Sequence, residues 1–444
     1  RALDSGHPVM VVVSALSGMT NALTRLAAGL DDKVKPSLLQ DMQSKHLSLF
    51  GKLGLEPSTR FQEHWKALES LVDSSGPVLT EAQQASLIAL GELLSSSLGH
   101  QVLESAGLQA TWQDARSLLR CTEETAENYL SARCSDETDA ALAGTLREQG
   151  LLHITQGFIA ANDRGETCLL GRGGSDTSAA YLAARLAAAE LEIWTDVPGI
   201  FSADPRTVPE ARLLRHLSYS EAQELASMGA KVLHPPSIQP ARRYGIPVSI
   251  KDTNQPGAAG TRIAARHAEA AAQVKGVVSR ENITMITMEN PAMWQQAGFL
   301  ADIFTVFKRH DYSVDLVSTS ESTVTVSLDP MTPARSEDAR MKALIEELER
   351  FCRVVTRQGC VSISLVGNAI RTILGRLSAA FGVFDDSRVH MVTQSANDLN
   401  LTLVIDSENA GSLVRDLHRL LIGSQVENRP EFGPSWADLH HRAG

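Results

Sequence analysis

The stretch Leu169–Ala188, LLGRGGSDTSAAYLAARLAA, concentrates side chains that can do chemistry. An apolar run (Cys168, Leu169, Leu170) feeds Gly171-Arg172-Gly173-Gly174, and Ser175 and Asp176 open an alanine-rich segment with helical spacing. This order predicts strand, glycine turn, helix. The glycines bare the backbone, and the N–H groups and dipole of a helix start favour an anion. Arg172 adds a fork suited to a carboxylate or a phosphate. Asp176 would repel a phosphate but suits an ammonium. Arginine, aspartate and bare amides in one pocket suit an amino acid beside a phosphate. The competing reading is an ordinary capped helix with Ser175 or Asp176 as N-cap. No Gly-Lys-Ser/Thr follows, so this is not a Walker A loop.

Other candidates must be carried to that loop by the elements around it. Pro8–Ser14 is a β-branched run without alternation, as in a strand buried on both faces of a parallel sheet. It ends in Ser14-Ala15-Leu16-Ser17-Gly18-Met19-Thr20-Asn21, where a ligand of an open parallel sheet would sit. Ser14, Ser17 and Thr20 either bind polar substrate groups or cap the next helix. Residues 31–106 read as helical scaffold, with Glu92 in an apolar setting beside Gly91. That acid is of interest only if a neighbouring motif needs it to hold an ammonium. Leu151–Ala160 reads as a strand with a turn at Gln156-Gly157-Phe158, and Asn162–Gly165 as a hairpin turn. Leu191–Trp194 is the next strand, followed by Thr195-Asp196-Val197-Pro198-Gly199-Ile200-Phe201 and then Ser202-Ala203-Asp204-Pro205-Arg206. Ser218 and Glu221 form a capping-box pattern, Gly229 stops that helix, and Lys231 and His234 follow. Lys231 would suit triphosphate charge, whereas His234 reads as structural. Several polar loops ending parallel strands point to a nucleotide-plus-substrate site.

With 444 residues the chain has room for two or three domains at about 100–200 residues each. A net charge of −11 argues against a general nucleic-acid surface. Five cysteines without a paired C-x-x-C spacing fit a reduced, cytoplasmic compartment and ordinary thiols. No apolar run is long enough to span a bilayer. The chain begins at Arg1 rather than methionine, which reads as a fragment.

Val248–Asp252 closes the α/β portion, and Thr253–Thr261 reads as a linker. Beyond it, short strands and amphipathic helices recur in an order that two ferredoxin-like βαββαβ units explain. Glu427–Gly444 runs past the last unit as a tail or linker.

Taken in order, VVVSALSGMTN, GEL, QGF, GRGGSDTSA, WTDVPGIFSADPR and GAKVLHP resemble the aspartate kinases over essentially the whole chain. GFLADIFTVFKRHDYSVDLVSTSES is similar to the lysine-inhibited bacterial type. The resemblance implies an α/β amino acid kinase fold, a mostly parallel open sheet with helices on both faces, followed by two ACT units. The implied boundaries are 1–262 for the catalytic domain, 291–360 for the first ACT unit, and 277–290 with 361–426 for the second. The implied reaction moves the γ-phosphoryl of ATP, with its Mg²⁺, to the side-chain carboxylate of L-aspartate.

On the same resemblance Arg172 clamps the substrate α-carboxylate, and Glu92 and Asp176 hold its ammonium. Ser14, Thr20, Phe158 and Ser175 are further substrate contacts. Gly173, Gly174, Thr195, Asp196, Phe201, Asp204, Arg206 and Lys231 line the nucleotide. Phe201 stands where many relatives have tyrosine. Lysine as feedback inhibitor maps to Met293, Gly298, Leu300, Val314, Asp315, Thr319, Ser320 and Glu321, with core packing the better reading for Leu300 or Val314. Homodimers or larger assemblies through the ACT units are expected, with no nucleic-acid or membrane partner. The family's N-terminal Lys-Phe-Gly-Gly-Thr motif has no counterpart before Val9, which predicts ligand binding with poor turnover. The alternatives are a catalytically inactive amino-acid-binding subunit, a kinase for another amino acid, and a fusion continuing past Gly444.

Overall fold

The apolar run at Pro8–Ser14 becomes the first strand of a parallel sheet, as its lack of alternation predicts. A computed structural model describes residues 3–4, 6–29, 33–74, 78–122, 125, 127–230, 232–265, 272–293, 296–329, 337–385, 387–423 and 429–441. In chain order β1 (Val9–Val13) is followed by α1 (Met19–Ala27), α2 (Lys35–Leu53), α3 (Thr59–Ser74) and α4 (Glu81–Ser105). Next come β2 (Thr111–Trp112), α5 (Ala115–Leu118), α6 (Ala140–Gln149), β3 (Leu152–Gln156), β4 (Ile159–Ala161) and β5 (Thr167–Leu169). Then follow α7 (Gly174–Arg185), β6 (Leu191–Thr195), β7 (Arg212–Leu214), β8 (His216–Ser218), α8 (Tyr219–Met228) and α9 (Gln239–Arg243). The chain continues with β9 (Val248–Asp252), β10 (Thr261–Ala264), β11 (Gln273–Glu289), α10 (Phe299–Arg309), β12 (Val317–Thr319) and β13 (Thr323–Leu328). It ends with α11 (Glu337–Leu348), β14 (Arg353–Asn368), α12 (Leu374–Phe381), β15 (Val389–Gln394), β16 (Asn400–Asp406), α13 (Ala410–Leu421), β17 (Phe432–Ser435) and α14 (Trp436–His441). Two compact units divide the chain: Arg1–Ile193 with Leu233–Ser249, and Trp194–Val232 with Ile250–Gly444.

In the first unit β1, β3 and β2 form a parallel sheet with β3 in the middle. Every residue of β3 is buried, as expected of a central parallel strand. A capping box between Thr80 and Gln83 starts α4, whose residues 87–98 are all buried. Around that helix gather Met19 and Leu23 of α1, Phe50 of α2, and Phe61, Trp65 and Leu68 of α3. Phe50 and Phe61 meet edge-to-face at 4.9 Å. The hairpin expected at Asn162–Gly165 joins β4 to β5.

In the second unit β10 pairs in parallel with β8, in a sheet ordered β6-β9-β10-β8. Residues 253–260 are therefore a loop inside this sheet, and the α/β portion runs past Asp252 to include β10. This corrects the linker reading of Thr253–Thr261. The tail also differs from the expected linker. Its strand β17 pairs antiparallel with β7, and Trp436 packs edge-to-face on Phe201 at 5.3 Å. Composition hid this, because a single short edge strand carries almost no periodic signal.

The strands after β10 that precede the tail form one six-stranded sheet, β12-β13-β11-β14-β16-β15. Thr284–Glu289 pairs with β13 on one side, and Met285–Glu289 with Arg353–Arg357 at the start of β14 on the other, whereas the pairing expected with Val361–Ile422 is made by the residues before them. The earlier half of β11, Gln273–Arg280, pairs with Ser362–Asn368 of β14. Bulges between Arg280 and Met285 separate the two halves. Two long strands are thus shared by both ferredoxin-like halves. Lys275 of β11 meets Glu221 of α8 at 2.9 Å in a buried ion pair. Glu221 also closes the predicted capping box with Ser218.

Candidate functional site

The first unit brings four of the motifs together. Gly157, just after β3, donates its N–H to the Val13 carbonyl at 2.8 Å, joining the turn after β3 to the end of β1. A Cβ on Gly157 would lie 2.7 Å from the Cα of Ser175, and a Cβ on Gly174 would lie 2.3 Å from the Phe158 ring. Both positions therefore admit only glycine without a backbone shift. Phe158 has a positive φ of 68°, and its N–H donates to Ser178 Oγ at 2.8 Å. That strained residue locks the turn onto α7.

Helix α7 starts without a side-chain cap. Its N-cap is Gly173 at φ 63°, not Ser175 or Asp176, so the capped-helix alternative is excluded. The same holds at α1, where Gly18 at φ 81° is the N-cap and none of Ser14, Ser17 and Thr20 caps. Two helix starts thus lack a side-chain cap, the arrangement that accepts anions, although at α1 the Met19 N–H already donates to the Leu16 carbonyl at 2.9 Å. Ser14 and Arg172 are exposed, while Thr20, Ser175 and Asp176 are half-buried.

Glu92 points from α4 at the loop after β1. Gly91 allows that loop close, since a Cβ there would lie 3.1 Å from Ala15 Cβ. The Ala15 N–H donates to Glu92 Oε1 at 3.4 Å, while Oε2 is buried without a partner. Burial pushes this carboxyl up to about 8, against the weaker pull of backbone amides. Burial likewise raises Asp176 to about 6. One buried carboxyl with an orphaned oxygen and one half-buried carboxyl of raised pKa offer groups that can meet a cation.

His234, expected to be structural, stands against the glycine loop. A Cβ on Gly173 would lie 2.4 Å from the His234 Cβ. Its Nδ1 is buried without a partner. Burial, then the Arg172 charge, lowers its pKa. Sequence reasoning missed Ser178 because its only signal is proximity in space. A cavity of about 720 Å³ between α1 and α2 touches the end of the loop after β1 and the start of α1 at Gly18, Met19 and Asn21, and none of Glu92, Arg172 and Asp176 lines it.

The remaining expected residues belong to the second unit. Thr195 ends β6 and its hydroxyl donates to Asp196 at 3.2 Å, while its carbonyl accepts from Thr253 at 2.8 Å. Asp204 accepts the Arg206 N–H at 3.0 Å in an exposed turn. Phe201 departs from expectation, because its ring is buried under Trp436 rather than offered to a ligand. Lys231 lies outside the described residues.

Of the expected effector residues, Gly298 is the uncapped N-cap of α10 at φ 92°. Val314 and Met293 pack on the core beneath α10, whereas Leu300 is 43% exposed. Ser320 and Thr323 hydroxyls meet at 2.6 Å beyond Thr319, and Glu321 is exposed. Asp315 is already paired with Arg280 at 3.2 Å. Burial and neighbouring Asp329 nonetheless push its carboxyl up to about 7. Arg280 also binds Asp329 and the Ser227 carbonyl near the end of α8.

Comparison with known proteins adds an independent line. The model of the amino acid kinase family matches residues 1–252. Lysine-sensitive aspartokinase 3 of Escherichia coli is 34% identical over 94% of this chain and 93% of its own length. Chloroplastic aspartokinase 2 of Arabidopsis thaliana is 31% identical over 92% of this chain and 78% of its own. The crystal structure of E. coli aspartokinase III in complex with aspartate and ADP (R-state) superposes with a TM-score of 0.80 at 33% identity, covering 93% and 92% of the two chains. The same enzyme in complex with lysine and aspartate (T-state) gives 0.74 at 32% identity, with the same coverage.

Proposed function

The chain belongs to the aspartokinases of the amino acid kinase family, and from that premise we propose that Glu92, Asp176 and Arg172 hold L-aspartate while ATP phosphorylates its side-chain carboxylate. The observation that carries the assignment is the buried Glu92 carboxyl with its unpartnered Oε2. A substrate ammonium would ionise it and satisfy that oxygen, and Asp176 would share the charge. Arg172, exposed and close enough to His234 to lower its pKa, is free to fork onto the α-carboxylate.

The acceptor carboxylate is ionised at neutral pH, so the reaction needs no general base. Catalysis then rests on aligning acceptor and γ-phosphate and on neutralising developing charge. The uncapped N-termini of α1 and α7 supply amide N–H groups for that charge, with Gly173 and Gly174 allowing close approach. Thr195, Asp196, Asp204, Arg206 and Lys231 are assigned to the nucleotide. No cluster of three metal-ligating side chains occurs among the described residues. The chemistry of the donor set therefore suits a magnesium ion held chiefly by the nucleotide phosphates, where it would screen their charge.

L-lysine is assigned as feedback inhibitor at the start of α10, with Asp315 and Glu321 as the acids that meet its charges. Assembly through the regulatory sheet is supported by exposed Val317 on edge strand β12 and Val389 and Val392 on edge strand β15.

The test is ATP consumption with L-aspartate, with and without L-lysine. Aspartate-dependent turnover suppressed by lysine is expected, at the low rate that the sequence predicts. No aspartate dependence would overturn the substrate assignment, and turnover indifferent to lysine would overturn the effector assignment.

A further inference from the structure

One buried hydrogen bond joins the last helix of the regulatory half to the segment assigned to the nucleotide. Ser202 Oγ and His418 Nε2 are 2.8 Å apart although 216 positions separate them in sequence. Both residues are buried, Ser202 completely and His418 to 2% exposure. The direction of the bond follows from its other partner. The Arg212 N–H donates to Ser202 Oγ at 2.8 Å, so the hydroxyl accepts there and has its single proton to give. No other acceptor stands beside Ser202 Oγ among the described residues, so His418 Nε2 as acceptor, with the ring neutral and its proton on Nδ1, is the arrangement that leaves the buried hydroxyl proton satisfied. Burial, which lowers the His418 pKa to about 4, agrees with a neutral ring.

Ser202 is also held through its backbone. Its N–H donates to the Arg212 carbonyl at 2.9 Å, and its carbonyl accepts the Val277 N–H at 2.7 Å. One residue thus ties together β7, β11 and α13. It sits between Phe201, packed on Trp436, and Asp204 and Arg206, which are assigned to the nucleotide. The apolar face of α13 (Leu413, Val414, Leu417, Leu421) is buried, so His418 is the polar break in that face. A neutral histidine there contributes nothing to phosphoryl transfer. It does fix where the chain turns from Phe201 towards Asp204 and Arg206.

We propose that His418 is a positioning residue for nucleotide binding, acting through Ser202 to hold the 196–206 segment, so that α13 of the regulatory half sets the affinity for ATP. The inference rests on the reading of 196–206 as the nucleotide segment. Removing the acceptor leaves the Ser202 proton without a partner in a site closed to water, and the segment shifts to find one.

The experiment uses the full chain with His418→Leu, which keeps an apolar residue on α13 without an acceptor, and His418→Gln, which restores an acceptor. ADP affinity is read by calorimetry, and KM for ATP and for aspartate from turnover. His418→Leu is expected to raise the ADP Kd and the ATP KM about tenfold, with aspartate KM within twofold of wild type. His418→Gln is expected to recover most of that loss. Should His418→Leu fail to fold, Ser202→Ala, which removes the donated proton, carries the same expectation. Unchanged nucleotide affinity in the folded variant would overturn the inference alone. So would equal damage to ATP and aspartate constants that His418→Gln does not relieve. A wild-type chain that binds no nucleotide would overturn the kinase reading, and this inference with it.

Discussion

Glu92 makes aspartate binding a proton-linked event. Its carboxyl is buried, keeps one orphaned oxygen, and is displaced upward to about 8 in the ligand-free protein. A bound ammonium favours the ionised form, so the complex has a lower pKa and binding expels a proton. With a free-site pKa of about 8, roughly three sites in four are ionised at pH 8.5 but only about one in 33 at pH 6.5. The apparent Kd for aspartate should therefore weaken about 25-fold between those pH values, provided that the pKa in the complex lies below 6.5. Asp176, near 6, adds little over this range. Calorimetry at pH 6.5 and 8.5, in buffers of different ionisation enthalpy, measures both the Kd and the protons released. In Glu92→Gln the charge is gone, so binding should fall by about two orders of magnitude at pH 8.5 and lose most of its pH dependence. A wild-type Kd constant within threefold across the range would refute the reasoning, as would a Gln variant that keeps the slope.

The same displacement has a stability sign. A carboxyl whose folded pKa lies above its unfolded value contributes stability that is lost as pH rises from about 4.5 towards about 8. Glu92→Gln should therefore raise Tm of the ligand-free protein at pH 8 and have little effect at pH 4.5, read by calorimetric melting. Gly174→Ala should destabilise by about 1–3 kcal/mol, because its Cβ would overlap the Phe158 ring, and should abolish aspartate binding in the folded fraction, as denaturant titration and calorimetry will show. Lys275→Met should leave Glu221 charged and buried and cost about 3–5 kcal/mol, measured by urea unfolding, whereas replacing both partners with apolar residues should cost much less. Trp436→Ala should cost about 3–5 kcal/mol by removing the ring that covers Phe201.

What was legible in the sequence was local. The strand–glycine–helix order around Arg172, the Ser218–Glu221 capping box and the hairpin at Asn162–Gly165 each follow from residues within a few positions of one another. Glu92 could be singled out, but its orphaned oxygen and raised pKa come from its α4 neighbours and the Ala15 loop, which no spacing encodes. Gly157 against Ser175, and His234 against Gly173, are close approaches between segments distant in sequence, so nothing local marks them. The sharing of β11 and β14 was missed for a related reason. Strand periodicity gives the faces of a strand but not its partners, and a strand about three times the usual length can serve two neighbours in succession. The tail escaped because its four-residue strand acquires meaning only beside β7.

The shared strands change what counts as a removable part. Two regulatory modules strung one after the other can be exchanged or deleted singly, since only a linker is cut. Here the stretch of β11 that pairs with β13 and with the start of β14 (Met285–Glu289) runs on directly from the stretch that pairs with the end of β14 (Gln273–Arg280). Cutting out residues 291–360 removes β13 and also the first part of β14, and so strips one half of β11 of both its neighbours. Deleting the first half therefore leaves the second with unpaired strand backbone. A sensor with a new effector specificity has to be built by changing side chains on the existing frame.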